Sequence, residues 1–114
     1  MKFFQSPVVR VEMAEISELQ EEVYSNVFKF PSMTKEDQLY HVELLTRLIE
    51  KQQSLYARLS LSDDPDAQQM KEHIIESASM MGIPSSTDIS KVFDQMSTMV
   101  QTLKTQIDKN QFSL

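Results

Sequence analysis

The sequence predicts an all-α protein with a four-helix-bundle-like fold, in which a long N-terminal antiparallel helical hairpin is followed by two further helices. The 114 residues include a single glycine, whereas average usage is about 7% and sheet proteins need glycine for hairpin turns and bulges. Good helix formers are abundant. Four segments repeat apolar residues in steps of three and four, which predicts helices over residues 6–30, 34–60, 64–82 and 87–108.

The first two predicted helices are bounded by capping and breaking residues. Ser6-Pro7 combines a serine N-cap with a proline at the first helical position. Pro31 disfavours helical geometry at Phe30 and should end the first helix there. The second helix begins at Thr34, which has the side chain of an N-cap. Because so few residues connect them, these helices should form an antiparallel hairpin.

The second helix has two adjoining apolar stripes. One consists of Val42, Leu45, Ile49, Tyr56 and Leu59, and the other of Leu44, Leu48 and Leu55. So wide an apolar surface is typical of a central bundle helix or of a helix that contacts a second chain. We therefore predict a homodimer or small homo-oligomer, with Leu44, Leu48 and Leu55 as candidates for the self-contact.

The third helix begins in a cluster of aspartates, "SDDPDA". Asp64 immediately before Pro65 has the spacing of an N-cap and first helical residue, and Asp66 falls in the first turn, where the helix dipole favours carboxylates. A calcium loop would need further oxygen ligands and a glycine at the turn, and this stretch has neither. We therefore interpret the aspartates as a helix start rather than a cation site. Gly82, followed by Pro84, predicts a helix end with the glycine in left-handed conformation.

The fourth helix has the most regular apolar seam. One of Ser85, Ser86 or Thr87 should cap it. Its apolar residues step by four and three in strict alternation, as expected for a bundle helix: Ile89, Phe93, Met96, Val100, Leu103 and Ile107. We predict a single helical domain over residues 1–109 and a flexible C-terminal tail over residues 110–114.

Composition excludes several functional classes. The net charge is −6 with a pI near 4.8, which disfavours nucleic-acid binding and favours a basic partner. With no cysteine there are no disulfides, thiolate metal sites or cysteine nucleophiles, as is common in the cytoplasm. No apolar run approaches the roughly 18 residues of a membrane span. We find no nucleophile with a plausible activator, so we predict no enzymatic activity and no cofactor.

The two histidines, His41 and His73, are the candidates for a metal site, together with Glu76 and neighbouring glutamates. Di-iron bundles present Glu-x-x-His on two helices. Here the residues three positions before the histidines are Gln38 and Met70. The sequence therefore favours helix-surface histidines over metal ligands, and a metal- or ligand-binding bundle remains an alternative function.

Two further groups are candidates for interfaces. Met80 and Met99 lie beside the main seams, and exposed methionines can repack around partners. Phe112 and Leu114 could anchor the tail in a partner's groove, although the sequence favours docking of the tail on the protein's own bundle. Charges also segregate on the hairpin and could set orientation in an oligomer: Glu12, Glu15, Glu18 and Glu22 on the first helix, and Arg47, Lys51 and Arg58 on the second.

Three stretches, "MKFFQSPVV", "LYARLSLSDDPDAQQM" and "VFDQM", resemble a small family of uncharacterised proteins, a domain of unknown function found chiefly in cyanobacteria and cyanophages. The similarity covers roughly residues 1 to 107. Many cyanobacterial members have phenylalanine at the position of Pro65, so the chain is more similar to the phage-borne branch. The resemblance implies an intracellular setting and supplies no catalytic residues.

The function predicted from these observations is a non-enzymatic protein–protein interaction or regulatory module that acts through helix-face packing. Besides the metal- or ligand-binding bundle, a second alternative is a phage factor that docks on a host protein complex through its tail.

Overall fold

The computed structural model describes residues 2–80, 82 and 88–109. These residues form four α helices and no strand, which confirms the predicted all-α class. The helices are α1 (Pro7–Asn26), α2 (Lys35–Leu61), α3 (Pro65–Met80) and α4 (Ile89–Asp108), with short 3-10 segments at Phe3–Gln5 and Val27–Ser32.

Helix α1 ends earlier than predicted. Its α-helical bonding stops at Asn26, and the chain continues as a 3-10 segment that contains Pro31. A proline lacks the N–H that a continuing α-helix requires, and it disfavours α geometry in the residue before it. The tighter winding therefore begins before the proline and leads directly into the turn between α1 and α2.

The helix ends test the predicted caps. Thr34 accepts a hydrogen bond from the Asp37 N–H at 3.1 Å, as its position predicted. Ser6 occupies the N-cap position of α1, but its side chain makes no capping bond. The cap predicted for α4 among residues 85–87 is wrong: Asp88 is the N-cap, and its Oδ1 accepts from the Ser90 N–H at 3.0 Å. Gly82 has a φ of +94°, the left-handed conformation expected of it.

Helix α2 is the centre of the fold and packs on the other three α helices. Its contact with α1 is antiparallel, since Glu12 lies beside Arg58 and Glu22 beside Tyr40. Buried apolar side chains fill the space between them: Ile16 and Val23 from α1, and Leu44 and Leu48 from α2.

This packing corrects the prediction that Leu44, Leu48 and Leu55 form a self-contact. Leu44 is 2% exposed and Leu48 is also buried, both against α1, and Leu55 is half-buried against the same core. The second apolar stripe of α2 is therefore satisfied within the chain, because α1 covers it.

Helix α4 runs antiparallel to α2 along a different face. The Lys35 ammonium, at the start of α2, donates to the Asp108 carbonyl at the end of α4, over 3.3 Å. Near the opposite ends, the rings of Tyr56 and Phe93 lie 6.1 Å apart, centroid to centroid. Within the described residues, α4 packs mainly on α2. The molecule is elongated and flat, with extents of 50 × 31 × 19 Å.

The N-terminal segment closes the other end of the core. Phe3 packs with Val9 of α1, Leu59 of α2 and Ala67 of α3, all buried. Phe4 and the half-buried Leu55 and Ile74 surround this cluster. Three helices and the chain start thus meet where α2 turns into α3.

Candidate interaction surfaces

The aspartate cluster at the start of α3 has a structural role. Asp64 Oδ1 accepts from the Asp66 N–H at 3.1 Å, which is the predicted N-cap geometry. Its Oδ2 accepts from the Phe3 N–H at 2.6 Å. Both hydrogen bonds lower the pKa of Asp64, and the bond from Phe3 has the larger effect. One carboxylate therefore caps α3 and ties the N-terminal segment to it. The sequence gives no signal for this second bond, because 61 positions separate the two residues.

His41 is buried at the hairpin end of α2. The residue is 4% exposed, and its ring lies 5.5 Å from the Phe30 ring, centroid to centroid. Its Nδ1 has no hydrogen-bond partner among the described residues. Burial lowers the pKa of His41, because desolvation disfavours the charged imidazolium. A neutral ring packed against an aromatic side chain behaves as part of the core.

A shallow cavity of about 530 Å³ opens beside His41, with a mixed polar and apolar lining. Lys29 and Asp37 bring opposite charges to it, and Tyr40 lies at its rim. The Tyr40 hydroxyl donates to the Glu22 carboxylate at 3.2 Å, and the negative charge of Glu22 raises the pKa of Tyr40. This arrangement closes the hairpin end with polar contacts.

His73 lies on α3 and is exposed, whereas His41 is buried. His73 lines a groove of about 550 Å³ with Phe4, Met70 and Glu76. In the part of the chain that the structure describes, no three His, Asp or Glu side chains form a group that could hold a metal ion. His41, His73 and Glu76 are thus not brought together as metal ligands there.

The charge segregation on the hairpin produces contacts between α1 and α2. Glu15 pairs with Lys51, and Glu12 lies 3.8 Å from Arg58. Glu12 also accepts a hydrogen bond from the Ser54 hydroxyl at 3.2 Å. Partly exposed ion pairs contribute under about 1 kcal/mol each. They favour one orientation of the hairpin more than they stabilise it.

Several large apolar side chains remain uncovered. Met99 on α4 is 70% exposed and Met80 at the end of α3 is 84% exposed. Phe28, in the 3-10 segment of the hairpin, is 95% exposed. Sequence periodicity did not single out Phe28, because it lies off the apolar stripe of the helix predicted over residues 6–30.

Helix α4 has an apolar seam that is covered incompletely. Ile89 and Ile107, at its two ends, are buried. The four seam residues between them are only half-buried: Phe93, Met96, Val100 and Leu103. The middle of this helix therefore presents apolar surface to solvent along several turns.

The predicted tail anchors, Phe112 and Leu114, lie outside the described residues. Among the described helices, none combines the length and the apolar character needed to cross a membrane. No curated protein and no solved structure matches the sequence. A family described as a domain of unknown function (DUF1825) matches residues 1–107. Since this match spans nearly the whole sequence, the chain belongs to that family.

Proposed function

We propose that the protein is a non-enzymatic protein–protein interaction module that works by helix-face packing and self-associates. The observation that carries the proposal is the half-covered seam of α4, which packs mainly on α2 among the described residues. Contiguous exposed apolar surface is typical of interaction sites in soluble proteins.

Two further features support this function. Exposed methionines such as Met99 offer adaptable contact surface, since their side chains can repack around a partner. The cavity beside His41 is shallow, and the buried ring of His41 packs against the ring of Phe30 as part of the core. We also propose a cytoplasmic setting, which the cysteine-free composition favours.

Sedimentation equilibrium of the purified chain at micromolar concentration tests the proposal. We expect an average mass that rises with concentration from that of one chain toward that of a dimer or small oligomer. A concentration-independent mass equal to one chain would contradict self-association. Repeating the measurement at high salt separates apolar packing from charge attraction. Salt screens the attraction between exposed charges, whereas apolar packing does not depend on that attraction.

A further inference from the structure

We propose that one side of α4 docks the same side of α4 in a second copy of the chain, with the two helices antiparallel. This inference rests on the proposed self-association and specifies its surface. The docking face is the outer row, which we define as Val92, Met96, Met99 and Leu103.

The outer row overlaps the seam that faces α2, since the two share Met96 and Leu103, and it extends that apolar surface to Val92 and Met99. Its members step by four, three and four, so they follow one side of the helix over three turns. Met99, near its middle, is 70% exposed, and the other three are half-buried. Phe93, whose ring contacts Tyr56, lies on the side turned toward α2. A second helix can therefore pack on the exposed part of the outer row, around Met99, with α2 in place.

The charges of α4 identify that second helix as another α4. From residue 88 to residue 109 the charged residues alternate in sign, in the order Asp88, Lys91, Asp94, Lys104, Asp108 and Lys109. Along a helix that runs in the opposite direction, the same series therefore begins with a positive charge, and the sign at each place in the series is inverted. Asp94 and Lys104, for example, lie five residues on either side of Met99. An antiparallel copy centred near Met99 thus meets opposite charges at matching levels, whereas a parallel copy meets like charges.

The position of each charge around the helix decides how it acts. At 100° per residue, Asp88 and Lys109 flank the outer row on the side away from α2, with the exposed Gln95 and Thr102 between them. In the antiparallel pair, Asp88 of one copy approaches Lys109 of the other at both ends, and Gln95 of one copy approaches Thr102 of the other. Lys104 lies on the same side of α4 as Phe93, away from the proposed contact. It therefore contributes only longer-range attraction, which selects orientation more than it adds affinity.

The expected assembly is a two-fold symmetric dimer of modest affinity. Both copies contribute the same surface, as in most homodimers. A helix of 20 residues is about 30 Å long, and one helix pair of that length falls at the small end of specific interfaces. We therefore expect dissociation in the micromolar range.

The absence of cysteine from the sequence allows a direct test by disulfide cross-linking. Met99→Cys places a thiol at the centre of the proposed contact, where two copies come within disulfide range. We expect mild oxidation to give a covalent dimer. Gln101→Cys is the matched control, because this exposed residue lies on the opposite side of α4 and should remain uncross-linked.

A mixed experiment tests the direction of the helices. Val92 and Gln106 lie seven residues on either side of Met99. Antiparallel pairing brings Val92→Cys of one copy beside Gln106→Cys of another, so the mixture should cross-link more strongly than either variant alone. Stronger cross-linking of Val92→Cys with itself would overturn the antiparallel arrangement.

Sedimentation of charged variants tests the same face without oxidation. Met99→Lys should lose the dimer, whereas Gln101→Lys should retain it, and circular dichroism should show both folded because both sites are exposed. If the wild-type chain dimerises but Met99→Lys also dimerises and Met99→Cys does not cross-link, the α4 surface is wrong and the proposed function stands. If the wild-type chain is monomeric, both fail.

Discussion

The two long contacts of α2 differ in how completely they are covered. On the α1 side, Ile16, Val23, Leu44 and Leu48 are all buried. On the α4 side, the buried residues that α4 itself contributes are at its two ends, and the four seam residues between them are half-buried. Both contacts are antiparallel and have regular apolar stripes. A regular stripe therefore specifies a helix and its packing side, but not how much of that side its own chain covers.

The largest expected effect comes from truncating a leucine in each contact. Leu44→Ala removes a side chain that is 2% exposed and should lower the free energy of unfolding by about 2–5 kcal/mol, because a cavity remains. Leu103→Ala, in the half-covered contact, should cost about 1 kcal/mol, since less apolar surface returns to water. Urea unfolding at low protein concentration measures both values. Equal losses would show that the two contacts are equally covered.

A smaller effect should appear as a pH dependence of the free energy of unfolding, caused by the buried His41. Because burial lowers the pKa of His41 in the folded state, protonation favours the unfolded chain. Stability should be complete above the ordinary histidine pKa of about 6.5 and should decline as the pH falls through the lowered folded value. Unfolding curves at neutral and mildly acidic pH measure this decline.

Two variants assign that decline to His41. His41→Met replaces the ring by an apolar side chain and should flatten the stability profile over the histidine range. His73→Gln is the matched control, because His73 is exposed, and its profile should follow that of the wild-type chain. A decline that persists in His41→Met would refute the assignment.

The smallest effect concerns the ion pair between α1 and α2. Lys51→Gln removes the partner of Glu15 and should lower stability by about 0.2–1 kcal/mol at low salt, and by less at high salt. Lys71→Gln on α3 serves as a control for the loss of one positive charge. A loss as large as that of Leu44→Ala would mean that charges, rather than apolar packing, hold the hairpin together.

Local signals in the sequence predicted most of the fold. Thr34 before α2 and Asp64 before α3 marked helix starts through side-chain oxygens that cap the backbone. Gly82 marked a left-handed residue that other amino acids resist. These features depend on neighbours within a few positions, so the chain sequence alone is sufficient to locate them.

Two of the predictions that failed concern contacts between distant parts of the chain, and a third concerns a helix cap. The leucine stripe with Leu44 and Leu48 has the pattern of an exposed interface as well as that of a central helix, and only the position of α1 distinguishes them. The burial of His41 against Phe30 likewise depends on how the hairpin closes. At the start of α4, Asp88 caps the helix although three hydroxyl residues precede it, because capping depends on backbone geometry as well as residue type.

The bond between the Phe3 N–H and the Asp64 carboxylate has a consequence for the order of folding. The α1–α2 hairpin can begin to form at its turn, where Tyr40 bonds Glu22 only 18 positions away, so it can form early at a low entropic cost. The carboxylate can engage the chain start only after both long helices are paired and the turn into α3 is in place. We therefore expect this link to form late during refolding, and amide hydrogen exchange at Phe3 to report the earliest local opening of the native state.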